Sequence, residues 1–170
     1  ALFNGSAPGL KVDTDLRWYF LIALTERGAT TKAELDAELA GDKTTAGSLA
    51  FETCLAAMPT SDAKAYAFNK VLNEEIATSV RSALIAGFQR PIQSALLEPF
   101  VHLYFDNLIS VWESKSYDPA AKFVTGFYPS WIVKQSTVDL TNTWLDGAGK
   151  DSPAVLKKLL KESQDGLIRA

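Results

Sequence analysis

The 170-residue sequence predicts an all-α fold, an irregular α-solenoid of stacked helix pairs, on three observations. Apolar residues recur at spacings of three and four along most of the chain, the spacing that lines one face of a helix. Several of these stretches carry two apolar faces rather than one, as a helix packed between neighbours does. Ser, Thr, Asp, Gly and Pro cut the chain into helix-length pieces, and no convincing strand stands between them.

The stretch DTDLRWYFLIALTERG opens with Asp13 or Thr14 as N-cap and meets Gly28 as terminator, which places a first helix over about 14–27. Thr31 followed three residues later by Glu34 is a capping box, and the helix it starts closes at Gly41. A third helix over about 44–58 stops at Pro59. It carries Ala46, Leu49, Ala50, Cys54 and Ala57 on one face and Phe51, Leu55 and Met58 on another. A fourth runs from Ser61, or from Thr60 as cap, to about Asn73, so these four form two α-hairpins.

The segment IATSVRSALIAGF then offers Ile76, Val80, Leu84 and Gly87 at near-helical spacing, before Pro91 and Pro99 break or kink the path. In EPFVHLYFDNLISVWES one stripe holds Phe100, Leu103, Tyr104, Leu108 and Val111, and a second holds Val101, Phe105, Ile109 and Trp112. His102, Asp106 and Glu113 take the polar face. Asp118 reads as an N-cap with Pro119 at the first helical position, and Pro129 closes that segment. Ser136 caps a helix reaching Leu145, with Gly147 after it. Ser152-Pro153 starts the last helix, with Val155, Leu156, Leu159 and Leu160 inward and Lys157, Lys158, Lys161 and Glu162 solvated. The total is about nine helices, and helix pairs every roughly 30 to 40 residues match the period of HEAT/armadillo-like right-handed superhelices. Asn4-Gly5 is a good hairpin turn in isolation but lacks an alternating apolar run on both sides.

A content of 47% hydrophobic and 22% charged residues excludes a disordered chain, and a net charge of -3 lacks the basic footprint that nucleic acid requires. The longest apolar run, residues 18–24, is far shorter than the roughly 20 residues a membrane-spanning helix needs. Cys54 is the only cysteine, which rules out an intrachain disulfide and favours a reducing, cytoplasmic setting. The first residue is Ala1 rather than Met, so residues 1–11 read as a linker or residual upstream segment and 12–170 as the helical-repeat domain of something longer.

Chemistry is sparse. His102 has Glu98 and Asp106 four residues away on either side, and acid, imidazole and acid can all be metal ligands. The plainer reading is an exposed histidine flanked by helix-stabilising acids. Cys54 lies on an inner stripe and reads as a buried structural thiol. H-E-x-x-H, G-x-S-x-G and the phosphate-loop motifs are absent from the sequence, and no residue is assigned a catalytic, cofactor-binding or metal role. Trp18 and Trp112 sit in apolar helical stripes and read as core, whereas Trp131 follows Tyr128-Pro129-Ser130 between two helices, where a loop carries contacts.

The strings VDTDLRWYFLIAL, DAELAGDKTTAG, IAGFQRPIQSALLEPFVHLYFDNLISVWESKS, FVTGFYPS and PAVLKKLLKESQDGLIRA resemble the C-terminal helical domain of bacterial zinc aminopeptidases of the aminopeptidase N type, a gluzincin family. The resemblance runs from residue 12 to the end. Its most specific parts are Asp13-Thr14-Asp15-Leu16-Arg17-Trp18, Gly87-Phe88 with Pro91 and Gln93, and Tyr104-Phe105 followed by Trp112-Glu113 and Ser116. In that family the zinc, the H-E-x-x-H and a further glutamate ligand belong to a separate thermolysin-like domain, so no catalytic residue carries over to this chain. The resemblance implies a non-catalytic domain that covers the active site and shapes peptide access and selectivity. Its implied partners are the upstream catalytic domain and the peptide substrate, with neither nucleic acid nor membrane, and zinc is expected only in the parent's catalytic domain. The competing reading is a free-standing helical-repeat scaffold that binds a protein or peptide.

Overall fold

The structure, a computed structural model, describes residues 12–169, so the Asn4-Gly5 turn and the 1–11 segment lie outside the described residues. Asp13 caps α1 (Thr14–Thr25) by accepting from the Leu16 amide at 2.9 Å. The helix ends two residues earlier than its apolar pattern suggests. Gly28, at φ +72°, donates to the Thr25 carbonyl and Ala29 to the Leu24 carbonyl, both at 2.9 Å, which is the Schellman pattern of a left-handed terminator. The Thr31–Glu34 capping box opens α2 (Lys32–Gly41). Thr44 caps α3 (Thr45–Ala57), and Thr60 caps α4 (Ser61–Asn73) through the Ala63 amide.

After α5 (Thr78–Phe88) the two prolines do more than kink the chain. A 3-10 turn at Pro91–Gln93 and the short α6 (Ser94–Leu97) fill the space between them, which brings the described residues to ten α-helices and no strand. The remaining helices are α7 (Phe100–Ser114), α8 (Tyr117–Gly126), α9 (Gln135–Asp146) and α10 (Ala154–Ile168).

Three expected starts shift. Helix α8 begins at Tyr117 with Ser116 at the cap position, so Pro119 is its third residue. Every amide of the first turn lacks an intrahelical acceptor, so proline costs nothing there. Asp118 accepts from the Thr78 hydroxyl at 3.1 Å instead of capping. Lys134, not Ser136, stands at the cap of α9, and Pro153 rather than Ser152 precedes α10. Leu103 and Val155, expected inward, are 45% and 46% exposed, and Ala46 is exposed as well. Each lies one residue beside a buried stripe that a single neighbouring layer suffices to cover.

Helices α1, α3, α5, α8 and α10 touch in that sequence to form one layer, while α2 lies on α3, α4 across α3 and α5, α7 on α8 and α9 on α10. This is the stacked-pair arrangement that the two-faced helices require. Two cores result. Trp18, Leu21, Leu35 and Cys54 make a small one among α1 to α3. A larger one holds Phe68, Phe88, Phe123 and Phe127, with Phe100 packed against it, and ring centroids stand 4.8 Å apart for Phe88 and Phe127. Trp112 is partly buried against this larger core, and Trp144 donates from Nε1 to the Phe105 carbonyl at 3.1 Å. The closest helix contact is α3 on α5: a Cβ added at Gly87 would lie 2.2 Å from the Thr53 carbonyl oxygen.

Candidate functional site

The C-terminal ends of α1, α3 and α5 converge on one rim, because two side chains bond to carbonyls from all three. Lys64 of α4 is fully buried, and its Nζ donates to the Ala56 carbonyl at 2.7 Å and, over longer contacts, to those of Gly87 at 3.3 Å and Phe88 at 3.4 Å. Gln93 donates from Nε2 to the Glu26 carbonyl at 2.7 Å and the Ala57 carbonyl at 2.8 Å. These are the carbonyls that helix geometry leaves without partners, at the negative end of each macrodipole. Burial nevertheless pushes the Lys64 amine down to about 7, Arg90 nearby acts in the same direction, and Glu26 opposes both. Arg90 reaches the Glu26 carboxylate at 3.3 Å. The Arg90 Nε and Gln93 Oε1 atoms are buried without hydrogen-bond partners.

A trough runs along this rim. Its first depression, about 420 Å³, is lined by Glu26, Arg27, Pro59 and residues 92–96. Ser94 and Ala95 continue into a second of about 430 Å³, bounded by Glu98 and residues 131–134. Glu98, Ile132 and Lys134 are shared with a third of about 380 Å³ that reaches His102, Thr137 and Leu140. The loop on its far wall is held firmly: Gln89 donates to the Tyr128 carbonyl at 3.2 Å, and the Tyr128 hydroxyl pairs with Thr141 at 3.0 Å. Trp131 packs against the larger core, yet its indole N–H is buried without an acceptor.

The structure thus brings Trp131, Glu98 and His102 to one trough, while Asp106 does not line it. Glu98, His102 and Asp106 are all exposed, and among the described residues no group of three or more His, Cys, Asp or Glu is placed to hold a metal ion. A zinc site does not fit these side chains. Cys54 is fully buried in the small core, where burial pushes its thiol up to about 11 against a smaller opposing effect of Thr25, so the nucleophilic thiolate is disfavoured. Sequence reasoning missed Lys64, Arg90 and Gln93. The available signal was Lys64 standing as the one charged residue in the stripe Ala63, Ala67, Phe68 and Val71.

No helix among the described residues is long and apolar enough to cross a membrane. Two similarities to known proteins bear on the family of this chain. The sequence model of the ERAP1-like C-terminal domain matches residues 1–169. Aminopeptidase N of Streptomyces lividans is 39% identical over 173 residues, which takes in 100% of this chain and 20% of that protein. The chain therefore spans about a fifth of the length of that relative.

Proposed function

The chain belongs to the ERAP1-like C-terminal domain family, and from that premise we propose that it is the non-catalytic helical part of a zinc aminopeptidase, covering the active site and shaping which peptides enter. The observation that carries the reading is the similarity to an aminopeptidase N along the whole of this chain. The zinc and the hydrolytic groups belong to the upstream catalytic domain of the parent polypeptide. The unpaired Cys54, buried and the only cysteine of the chain, supports a cytoplasmic setting.

In this reading the domain acts by position rather than by chemistry. Stacked helices hold a wall at a fixed place, and a wall that excludes water and aligns the peptide lowers the barrier for groups supplied elsewhere. The rim trough contacts the peptide away from the scissile bond: Trp131 and Ile132 offer apolar surface, and Glu98 and Lys134 offer one charge of each sign.

The test uses the full-length parent polypeptide carrying Trp131→Ala with Lys134→Ala. Hydrolysis of a single aminoacyl anilide is expected to stay within about two-fold of the unsubstituted enzyme, while kcat/KM for peptides long enough to reach the trough falls by about ten-fold, the loss of roughly 1.4 kcal/mol of transition-state binding. An unchanged ranking of long against short peptides would refute the proposed contact. Nothing in the trough favours the free-standing scaffold over this reading.

A further inference from the structure

Helix α7 begins at the trough and ends beside the α9–α10 connection. A separate cavity of about 200 Å³ lies there and shares no residue with the trough. Ile109, Pro153 and Leu156 give it an apolar lining, Trp112 adds an indole, and Glu113 and Asp151 add two carboxylates. The sequence places Trp112 in a core stripe, yet the residue is only partly buried: it packs on the larger core and also lines this cavity. Both walls are held by contacts within the chain. Trp112 stands edge-on to Tyr117, with ring centroids 6.0 Å apart. In the connection, Gly147 donates to the Thr143 carbonyl at 2.9 Å, Gly149 to that of Trp144 at 2.7 Å, and Ser152 to that of Gly149 at 3.0 Å. Gly149 lies directly against the Trp144 ring, where a Cβ would collide.

Neither carboxylate is answered from within the chain: Glu113 and Asp151 form no hydrogen bond or ion pair among the described residues. The lysines close to them in sequence are engaged elsewhere. Lys115 faces Glu75 at 3.5 Å, Lys157 donates to the Lys150 carbonyl at 2.9 Å, and Lys150 and Lys157 line a different depression over α9 and α10. The last turn of α7 and the first turn of α10 also meet here, but their partial charges, about half a unit each, are opposite in sign and offset one another. Two carboxylates beside an indole therefore set the chemistry. We infer that the cavity between the end of α7 and the α9–α10 connection is a binding site for the arginine side chain of a peptide segment, with Trp112 against the guanidinium face and Glu113 and Asp151 as acceptors. An anion would meet repulsion there, and a neutral group would desolvate the carboxylates without pairing them. The cavity is smaller than the roughly 300–1,000 Å³ of sites for drug-sized ligands, which suits a single side chain. Guanidinium fits better than ammonium. It stacks on an indole, offers five donors in one plane to carboxylates on two sides, and is more weakly hydrated. Its methylene stem matches Ile109, Pro153 and Leu156. The site is distinct from the trough and does not rest on the peptidase reading.

The experiment titrates N-acetyl-arginine amide into the full-length polypeptide that contains this chain and follows binding by saturation-transfer difference NMR. The quantity read is the difference between the unsubstituted protein and its Glu113→Gln, Asp151→Asn double variant, so arginine bound anywhere else cancels. Saturable binding with a Kd of about 1 mM or below is expected, weakened at least about ten-fold in the variant. Both substituted side chains are exposed and unpaired, so the variant should melt with the unsubstituted protein by circular dichroism. Should it fail to fold, competition on the unsubstituted protein decides. The citrulline amide, which keeps the shape without the charge, should bind about ten-fold more weakly than the arginine amide, and the lysine amide about three-fold more weakly. Binding equal in the folded variant, no saturation up to about 10 mM, or a citrulline or lysine amide as tight as the arginine amide would each overturn the inference.

Discussion

Replacing Lys64 by Met removes the amine buried among the ends of α3 and α5 while keeping most of its length. The pH dependence of the loss is the informative quantity. The amine titrates at about 7 in the folded chain against an ordinary 10.5. Between these values the unfolded chain holds a proton that the folded chain has released, so stability conferred at this site rises with pH through that window and is flat below it. At about 1.4 kcal/mol per unit, the unfolding free energy of the unsubstituted chain should gain roughly 2.5 to 3 kcal/mol on Lys64→Met between pH 6 and pH 9. The variant keeps every other ionisable group, so their contributions cancel in the difference. The opposing effect is the attraction of the carbonyls for the charged form, worth about 1.5 to 3 kcal/mol for a good hydrogen bond to an ion. Only the Ala56 bond, at 2.7 Å, is short enough to count in full, since those to Gly87 and Phe88 are 3.3 and 3.4 Å. Desolvation therefore wins. Urea unfolding followed by circular dichroism at several pH values measures the difference directly. A gap between the two proteins that is the same at pH 6 and pH 9 would show that the carbonyls hold the proton and that the reasoning is wrong.

Two further outcomes follow from close contacts. Gly87→Ala drives a methyl group into the Thr53 carbonyl of α3, where neither backbone can yield, and should cost about 3 kcal/mol or more in the same unfolding assay. Wild-type stability there would mean that the layer has more slack than the structure shows. Trp18→Phe removes the indole donor that reaches Asp42 at 2.8 Å, and should cost about 1 to 3 kcal/mol at neutral pH. Thr44 and Trp18 together hold the Asp42 carboxyl below its usual range, so its contribution is present at neutral pH and fades as pH falls through that lowered value; the cost of the variant should shrink in acid. A cost that stays constant into strong acid would assign it to lost packing alone.

Much of the fold was legible because local chemistry and final structure agree. Asp13, the Thr31–Glu34 box and Gly28 mark ends that depend only on nearby backbone geometry, and they stand where the sequence places them. The starts of α8 and α9 were misread because proline is tolerated anywhere in a first turn, and a serine caps only when its own backbone is extended. The site was legible in pieces. Trp131 stood out by its place between helices, and Glu98 with His102 by their chemistry, but no periodicity shows that the α8–α9 connection folds over the start of α7. Lys64, marked only by being the one charge in an apolar stripe, was missed for a different reason. A lysine on a helix reads as solvated unless the carbonyls it meets are known, and those of Ala56, Gly87 and Phe88 come from two other helices.

The way Lys64 and Gln93 span three helix ends also bears on which length changes the gene encoding this chain can tolerate. One residue inserted in α4 ahead of Lys64 turns the amine about 100° around the helix axis and leaves buried carbonyls of α3 and α5 without a donor. One residue gained or lost between α5 and the 3-10 turn does the same to Gln93 and the ends of α1 and α3. The 74–77 connection, which is mostly exposed, holds no such donor. Natural variants of this domain should therefore accumulate insertions at 74–77 and keep the stretches 60–64 and 89–93 at constant length.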